Sequence, residues 1–319
     1  MHRPGDASRR EEEDARGARG RDVVTAGVLV LDKPRGITSF QAVQAVGRIL
    51  KERKCGHAGT LDPMATGVLP VCVGAATKIA GYLTEEDKEY EAGFAFGVAT
   101  DTGDATGKPV EERPGAAATE TAVAEALAAL VGTFDQVPPA YSAVKVGGVR
   151  SYALARKGKE VPLAARRVTV REARLIAYGP EGFRAFLAVS KGFYVRSLPR
   201  DLGARLGVPL TVSELRRIRV GAFRVEQAVT LDELRERGLR FEAASLLLPI
   251  VDALGRIPHW VVPAASVSSV RTGRLSGPWL SDRATAPPGD LALLVTPLRE
   301  PLAIVGRDSS GLWKILRGI

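Results

Sequence analysis

Residues 56 to 74 read GHAGTLDPMATGVLPVCVG, and this stretch limits the possible folds more than any other part of the chain. Gly56, Gly59, Pro63 and Gly67 crowd one loop with residues that bend or restrict the backbone. The apolar run from Val68 to Val73 that follows has the pattern of a buried strand. The loop therefore leads into the interior of a sheet. Its one carboxylate, Asp62, is held on a constrained loop beside a rigid element, the usual posture of a catalytic or binding group.

The neighbouring segments set the architecture around that strand. GVLVLDKP, from Gly27, predicts a short strand closed by Pro34 and Gly36. Ser39 is expected to cap a helix of roughly 13 residues with Val43, Val46, Ile49 and Leu50 on one face. AATKIAGYL predicts a short helix, and KEYEAGFAFG alternates as a strand with Tyr90, Ala92, Phe94 and Phe96 on one side. Residues 119 to 132 predict an Ala-rich helix ending at Gly132. PPAYSAVKV, RRVTVREARLIAYG, GFRAFLAVSKGFYV and LTVSELRRIRVGAF predict strands, SYALARKG a short helix, and VRSLPRDLGARLG a helix ended by Gly207. Strands and helices interleave without a steady βαβ repeat, which predicts an α+β fold with a mixed or antiparallel central sheet and flanking helices.

From Leu248 the texture changes to short apolar runs separated by Pro, Gly and Asp, the pattern of a small all-β domain. Trp260, Trp279 and Trp313 all fall there, as core residues or as stacking surfaces for nucleic acid. The first 24 residues, with the block EEED among scattered Arg and Gly, read as a disordered charged tail. The expected division is 1–24 tail, 25–247 main domain and 248–319 small domain.

Composition excludes several classes. No long uncharged apolar run is present, which argues against a membrane span. The first residues are charged rather than apolar, so no secretory signal peptide is expected. Cys55 and Cys72 are too few for a disulfide framework, and with His2, His57 and His259 they show neither CxxC nor HExxH spacing, so no metal site is expected. GDATGKP (103–109) has three residues between its glycines instead of the four of a P-loop, and Pro109 stands where Ser or Thr would hold magnesium. With no GxGxxG after a strand and no GxSxG, neither a nucleotide cofactor nor serine hydrolase chemistry is expected. The expected setting is cytoplasmic.

The formal net charge is +9. Residues 1 to 22 hold six arginines and six acids, so the whole excess lies on the remainder of the chain. That excess fits a polyanionic partner whose phosphates release counterions on binding; it also fits plain solubility. Asp62 likewise has two readings. A carboxylate can attack an electrophilic carbon and hold a covalent intermediate, as in glycosidases, or it can close an Asx-turn.

At this loop the residues resemble a known family. GHAGTLDPMATGVLPV is similar to the signature of bacterial tRNA pseudouridine-55 synthases, the TruB family of pseudouridine synthases. GVLVLDKPRGITS, DKEYEAGFAFGVATDTGDATG, VPPAYSAVKVGGVRSYALARKG, SKGFYVRSLPRDLG and SELRRIRVGAF resemble further family motifs in the family's order, across nearly all of residues 27 to 225. The tail from about 248 is only weakly similar to the PUA-type RNA-binding domain found at the C-terminus in this family.

The resemblance implies a central sheet of the pseudouridine synthase type and a cofactor-free isomerisation of a T-arm uridine in tRNA. The enzyme is expected to act as a monomer on a base flipped out of its stack. Asp62 matches the catalytic aspartate. Tyr90 matches the tyrosine set against the target base, where it can stack or pass a proton; its alternative is an inward strand aromatic. Arg196 matches the arginine paired with the aspartate, since an opposite charge favours the ionised carboxylate a nucleophile needs. Its alternative is a surface arginine at a helix start.

His57 matches the histidine that enters the T-loop, or is a turn histidine. Tyr194 and Leu215 match positions lining the uracil pocket, or pack the core. Lys33, Lys78, Arg150, Arg216 and Arg217 are candidate phosphate contacts, or ordinary solvated surface. Three positions depart from the family: Phe40-Gln41 where many members carry His-Asp, Thr211 where many carry His, and Phe193 where Thr is frequent. Two rivals remain: a non-catalytic RNA-binding protein or tRNA-folding chaperone, and a related synthase acting on ribosomal RNA or through a guide RNA.

Overall fold

The computed structural model describes residues 26–139, 141, 145–146, 149–150, 163–240, 242–283 and 290–319. The expected tail, the SYALARKG helix and residues 140 and 142–144 of PPAYSAVKV lie outside the described residues. The large sheet is formed by β1 (Gly27–Lys33), β2 (Cys55–His57), β3 (Thr66–Val73), β4 (Lys88–Phe96), β7 (Gly132–Gln136), β10 (Arg166–Gly179), β11 (Gly182–Val189), β12 (Leu210–Val220), β13 (Phe223–Arg224) and β14 (Leu248–Pro249). Two short hairpins stand apart from it, β5 (Val98–Thr100) with β6 (Pro109–Glu112), and β8 (Lys145–Val146) with β9 (Val149–Arg150).

The strand order is β14-β1-β3-β12-β4-β11-β10-β7, with β2 on β3 and β13 on β12. Every pairing is antiparallel except β3 with β12, so the sheet is mixed, as the interleaved elements predict. β3 sits inside this order and is buried along nearly its whole length, which accounts for the apolar run after the Asp62 loop.

Helices pack on both faces, those carrying Ala42, Val123, Leu202 and Leu234 on the side of Leu29 and Leu31, and those carrying Leu83 and Ile250 on the side of Val28 and Val30. The helix Ser39–Ile49 buries Ala42, Val43 and Val46 in the same apolar cluster as Leu31, Leu61, Met64, Tyr90, Phe94 and Leu198. Its cap corrects the expectation. Thr38, not Ser39, is the N-cap: its hydroxyl accepts from the Gln41 amide at 3.1 Å, and the Gln41 side chain accepts from the Thr38 amide at 2.8 Å. That frees the buried Ser39 hydroxyl for the Asp62 loop, where it accepts from the Leu61 amide (2.8 Å) and donates to the Leu61 carbonyl (3.0 Å).

Two boundaries also differ. The Ala-rich helix runs Glu120–Ala128, and Gly132, at φ 135, opens β7 instead of ending the helix. The strand expected through SKGFYV stops at Val189, and the chain turns at Gly192 (φ 79) into a 3-10 turn, Val195–Ser197. Gly207, at φ 70, closes the helix Leu198–Leu206 as expected.

A second, four-stranded sheet follows, ordered β15 (His259–Val261), β16 (Leu291–Val295), β17 (Pro301–Arg307) and β18 (Trp313–Gly318). β14 belongs to the large sheet, pairing Leu248 with Val28 and Pro249 with Gly27. Trp260 and Trp313 meet edge to face at 4.6 Å, and Trp279 packs on the same cluster as Val262, Leu294 and Val305. The tryptophans thus pack the small sheet, one of the two roles open to them. A further cluster joins the sheets through Val28, Val68, Ile250, Leu293 and Ile304.

Candidate active site

The loop between β2 and β3 carries Asp62, and its glycines have steric causes. Gly59 and Gly67 adopt φ 93 and 100, and a Cβ on Gly67 would lie 2.1 Å from the carbonyl oxygen of Arg217. Facing the loop, the 3-10 turn Val195–Ser197 presents Arg196. Its Nε donates to Asp62 Oδ2 at 2.7 Å and its Nη2 to Oδ1 at 3.0 Å, a two-point grip. The remaining donors reach the carbonyls of Thr102 (3.1 Å) and Tyr141 (2.7 Å).

The pair is asymmetric in its access to solvent. The Arg196 side chain is 7% exposed and that of Asp62 34%. The cation is sealed behind an acid that faces outward. A carboxylate has about four lone-pair positions and Arg196 takes two, so Asp62 keeps acceptor capacity toward an incoming group.

A second acid lies behind. Asp104, 5% exposed at its side chain, brings Oδ2 to 3.5 Å from Arg196 Nε. Its Oδ1 accepts from the Thr102 hydroxyl (3.0 Å), the Thr106 amide (2.9 Å) and the Thr106 hydroxyl (2.6 Å). Gly103 must be glycine here: at φ 73 its Cβ would fall 2.2 Å from the Arg196 carbonyl oxygen. The motifs above pass over Asp104. The signal was the spacing Thr102, Asp104, Thr106, in which one Asp side chain bonds the residues two away on either side.

Tyr90 is buried on β4, in the apolar cluster that also holds Leu61 and Met64 from the Asp62 loop, Leu215, and Phe193 and Val195 beside Arg196. Tyr194 is half-buried, with its main chain clasped by the Gln136 side chain through bonds of 2.8 and 3.1 Å. His57 is half-buried on β2 and faces Val71 of β3 in register. Lys78 is half-buried on the turn Gly74–Ile79 that follows β3.

The other cations correct the list of phosphate contacts. Lys33 has no exposed surface; its Nζ donates to the carbonyls of Pro34 (2.8 Å) and Ile37 (2.9 Å), which removes it from an RNA surface. Burial pulls its pKa down to about 8, against the opposing pull of the Asp62 charge. Arg217 is likewise buried and donates to the main-chain carbonyls of Gly59 in the Asp62 loop and Val68 in β3. Arg216 is accessible, but both its Nη groups grip Asp32, at 3.1 and 2.7 Å. The backbone of Arg150 lies in β9; its side chain is outside the described part. Of the three departures, Phe193 and Thr211 are buried, whereas Phe40 is 65% exposed.

Burial pushes the Cys55 thiol up to about 11 and the Cys72 thiol to about 12, so neither offers a thiolate. Among the described residues no three His, Cys, Asp or Glu side chains converge as a metal site, and no helix is long and apolar enough to cross a membrane. A cavity of about 550 Å³ lies on the far side of Arg196, lined by Arg196, Thr102, Gly103, Pro138, Pro199 and Arg200 among others, with neither Asp62 nor Tyr90 in its wall.

The chain as a whole is similar to known proteins. Residues 47–195 match the TruB family pseudouridylate synthase N-terminal domain, and residues 196–254 the tRNA pseudouridylate synthase B C-terminal domain. The chain is 43% identical over 251 residues to tRNA pseudouridine synthase B of Xanthomonas campestris pv. campestris, covering 78% of this chain and 81% of that one. It is 46% identical over 253 residues to tRNA pseudouridine synthase B of Aromatoleum aromaticum, covering 79% and 81%. Among solved structures, a chain of a Cbf5-Nop10-Gar1 complex superposes with a TM-score of 0.70 at 25% identity, covering 93% of this chain and 84% of that one.

Proposed function

The chain belongs to the TruB family of pseudouridylate synthases and is an RNA isomerase; from that premise we propose that it converts uridine 55 in the T-arm of tRNA to pseudouridine, with Asp62 as the nucleophile. The observation that carries the reading is the two-point grip of Arg196 on an outward-facing Asp62. In the proposed reaction the flipped uridine loses its bond between ribose carbon 1′ and base N1 and gains one between carbon 1′ and carbon 5. The proton on carbon 5 is released and the freed N1 takes one up, so the change is an isomerisation with no net oxidation or hydrolysis. Arg196 stabilises the ionised carboxylate before attack and orients it. Tyr90, from the cluster that flanks the Asp62 loop, is the ring proposed to stack on the uracil. Tyr194 and Leu215 are proposed to line the same pocket, and His57 and Lys78 to meet the RNA.

The four-stranded sheet is proposed as a PUA-like module that adds RNA contacts. A tRNA substrate fits a cytoplasmic setting. The guide-directed alternative has less support, because the curated relatives named as tRNA enzymes are 43 and 46% identical, against 25% for the Cbf5 chain.

Asp62→Asn should abolish tritium release from carbon-5-labelled uridine in unmodified tRNA while leaving tRNA affinity within about threefold, because the amide keeps the shape and loses the charge. Undiminished release from Asp62→Asn would remove Asp62 from the chemistry. No release from the wild-type protein would favour the chaperone.

A further inference from the structure

Two adjacent arginines on β12, Arg216 and Arg217, serve opposite faces of the sheet. Arg216 meets Asp32, whereas Arg217 is 1% exposed and turns under the catalytic loop. Its Nε donates to the Val68 carbonyl at 2.8 Å, its Nη2 to Gly59 at 3.0 Å and its Nη1 to Thr60 at 3.4 Å. These three carbonyls lie on both sides of Asp62. A buried cation is costly to keep, and simple filling of space would favour an apolar side chain. What an arginine adds is a planar fork that holds several divergent acceptors at once.

The loop's carbonyls show what the fork supplies. The Leu61 carbonyl is taken by the Ser39 hydroxyl, that of Asp62 by the Ala65 amide at 3.1 Å, and that of Pro63 by the Gly36 amide at 2.8 Å. Gly59 and Thr60, the two residues that lead into this stretch, are tied by Arg217, and the same guanidinium joins them to Val68 at the other end. The arginine is itself fixed. It pairs in parallel register with Gly67, which approaches too closely to carry a Cβ. A Cβ on Gly59 would lie 3.6 Å from Nη1, in ordinary van der Waals contact with the fork.

We propose that Arg217 is a positioning residue for the isomerisation: it sets the placement of Asp62 through the Gly59, Thr60 and Val68 carbonyls, and so governs kcat and not RNA affinity. The inference rests on Asp62 being the reacting acid. Slackening the Gly59–Thr60 end by about 1 Å would carry Asp62 out of line with Arg196 and the flipped uridine, a misplacement worth on the order of 100-fold in rate. Being buried, Arg217 offers no surface to RNA, so KM should be indifferent to it.

The test uses Arg217→Lys, which keeps the charge but not the fork, and Arg217→Gln, which keeps part of the donor set without the charge, both in the full chain. We expect kcat for tritium release from unmodified tRNA to fall by at least about 30-fold with KM within about twofold. Amide hydrogen exchange at Ala58, Leu61 and Ala65 should speed by at least about tenfold, while the amides of β4 and β11 stay protected. Exchange does not depend on the reaction, so an inactive wild-type enzyme would refute the functional reading while exchange still judges the brace. Wild-type kcat in either folded variant, a rise in KM with kcat unchanged, or unchanged exchange at the three loop amides would overturn the proposal. Should neither variant fold, Gly59→Ala tests it from the loop side: the added Cβ at φ 93 should lower kcat and leave KM unchanged, and wild-type kcat there would overturn it.

Discussion

The loop around Asp62 and the four-stranded sheet formed by β15–β18 are held by different physics. The loop depends on buried polar groups, namely Ser39, Arg196, Arg217 and Asp104, each with partners at hydrogen-bond distance. The small sheet depends on apolar volume: Leu293, Leu294, Ile304 and Val305 are fully buried, and its edge-to-face tryptophans close one side. A buried polar network fixes one geometry and fails steeply when a partner is removed, because the other partner is left uncompensated. Apolar packing weakens in proportion to the volume lost. Under the proposed function, the first kind of support lies where a reacting atom must be aimed and the second where a surface must merely persist.

Removing the arginine at the centre of the network should break this contrast most sharply. Arg196→Met leaves Asp62 and the buried Asp104 facing each other without a cation, and the Thr102 and Tyr141 carbonyls without their donor. We expect kcat to fall by at least about 1,000-fold and stability to fall by about 3–5 kcal/mol. Trp313→Ala, in the small sheet, should cost about 2 kcal/mol, because the ring is only half-buried, and should leave kcat within about twofold. Denaturant midpoints and tritium release on the two variants decide the matter. If Trp313→Ala proved as damaging to kcat as Arg196→Met, the division of labour between the two regions would be wrong.

A smaller effect separates the regions by pH. Lys33, whose charge is opposed by burial and by Arg217 and favoured by Asp62, titrates at about 8 in the folded protein, against 10.5 unperturbed. Below about 8 both states hold the proton and the burial penalty is constant. Between about 8 and 10.5 the unfolded chain holds the proton and the folded one does not, so stability rises with pH in that window. Lys33→Met removes this contribution. The unfolding free energy of the wild type should therefore gain on that of the variant by up to about 1.4 kcal/mol per pH unit across the window. Lys88, lowered to about 8 mainly by burial, contributes the same slope to both proteins and cancels in the difference. A wild-type curve that falls relative to Lys33→Met between those limits would refute the assignment.

How much of this was legible in the sequence depends on the kind of residue. The apolar run Val68–Val73, the alternation in KEYEAGFAFG and the stop at Gly207 were readable because periodicity and glycine act locally. The pairing of Asp62 with Arg196, 134 positions apart, could come only from resemblance to a family. The facing of Arg216 and Arg217 was not readable, because two irregularities in the β12–β4 register, between Val212 and Glu214 and between Arg217 and Arg219, reset the alternation along the strand. A count of alternate positions cannot show which arginine turns inward. Lys33 misleads for a related reason. A lysine at a strand end reads as solvated, and only the loop Pro34–Ile37 folding back over it supplies the carbonyls that let it be buried. Ser39 is the better cap by residue type, but the Leu61 main chain takes its hydroxyl and leaves the cap to Thr38.

The smallest effect is the sharpest control on the comparison. Arg271 and Glu300, on the rim of the small sheet, form an arginine–carboxylate contact of the same chemical type as Arg196 with Asp62. Their closest atoms are 3.5 Å apart, and their side chains are 61% and 59% exposed. Water screens the attraction, and freezing two long side chains offsets most of what is left, so Arg271→Ala should change stability by less than about 0.5 kcal/mol. Raising the salt concentration should shrink even that difference, whereas the loss in Arg196→Met should barely respond to salt, because the buried acid it strands lies beyond effective screening. Chemical unfolding of both variants at low and high salt measures this directly. A large, salt-independent loss in Arg271→Ala would mean that burial is not what separates the two contacts, and the contrast between the loop and the small sheet would need another cause.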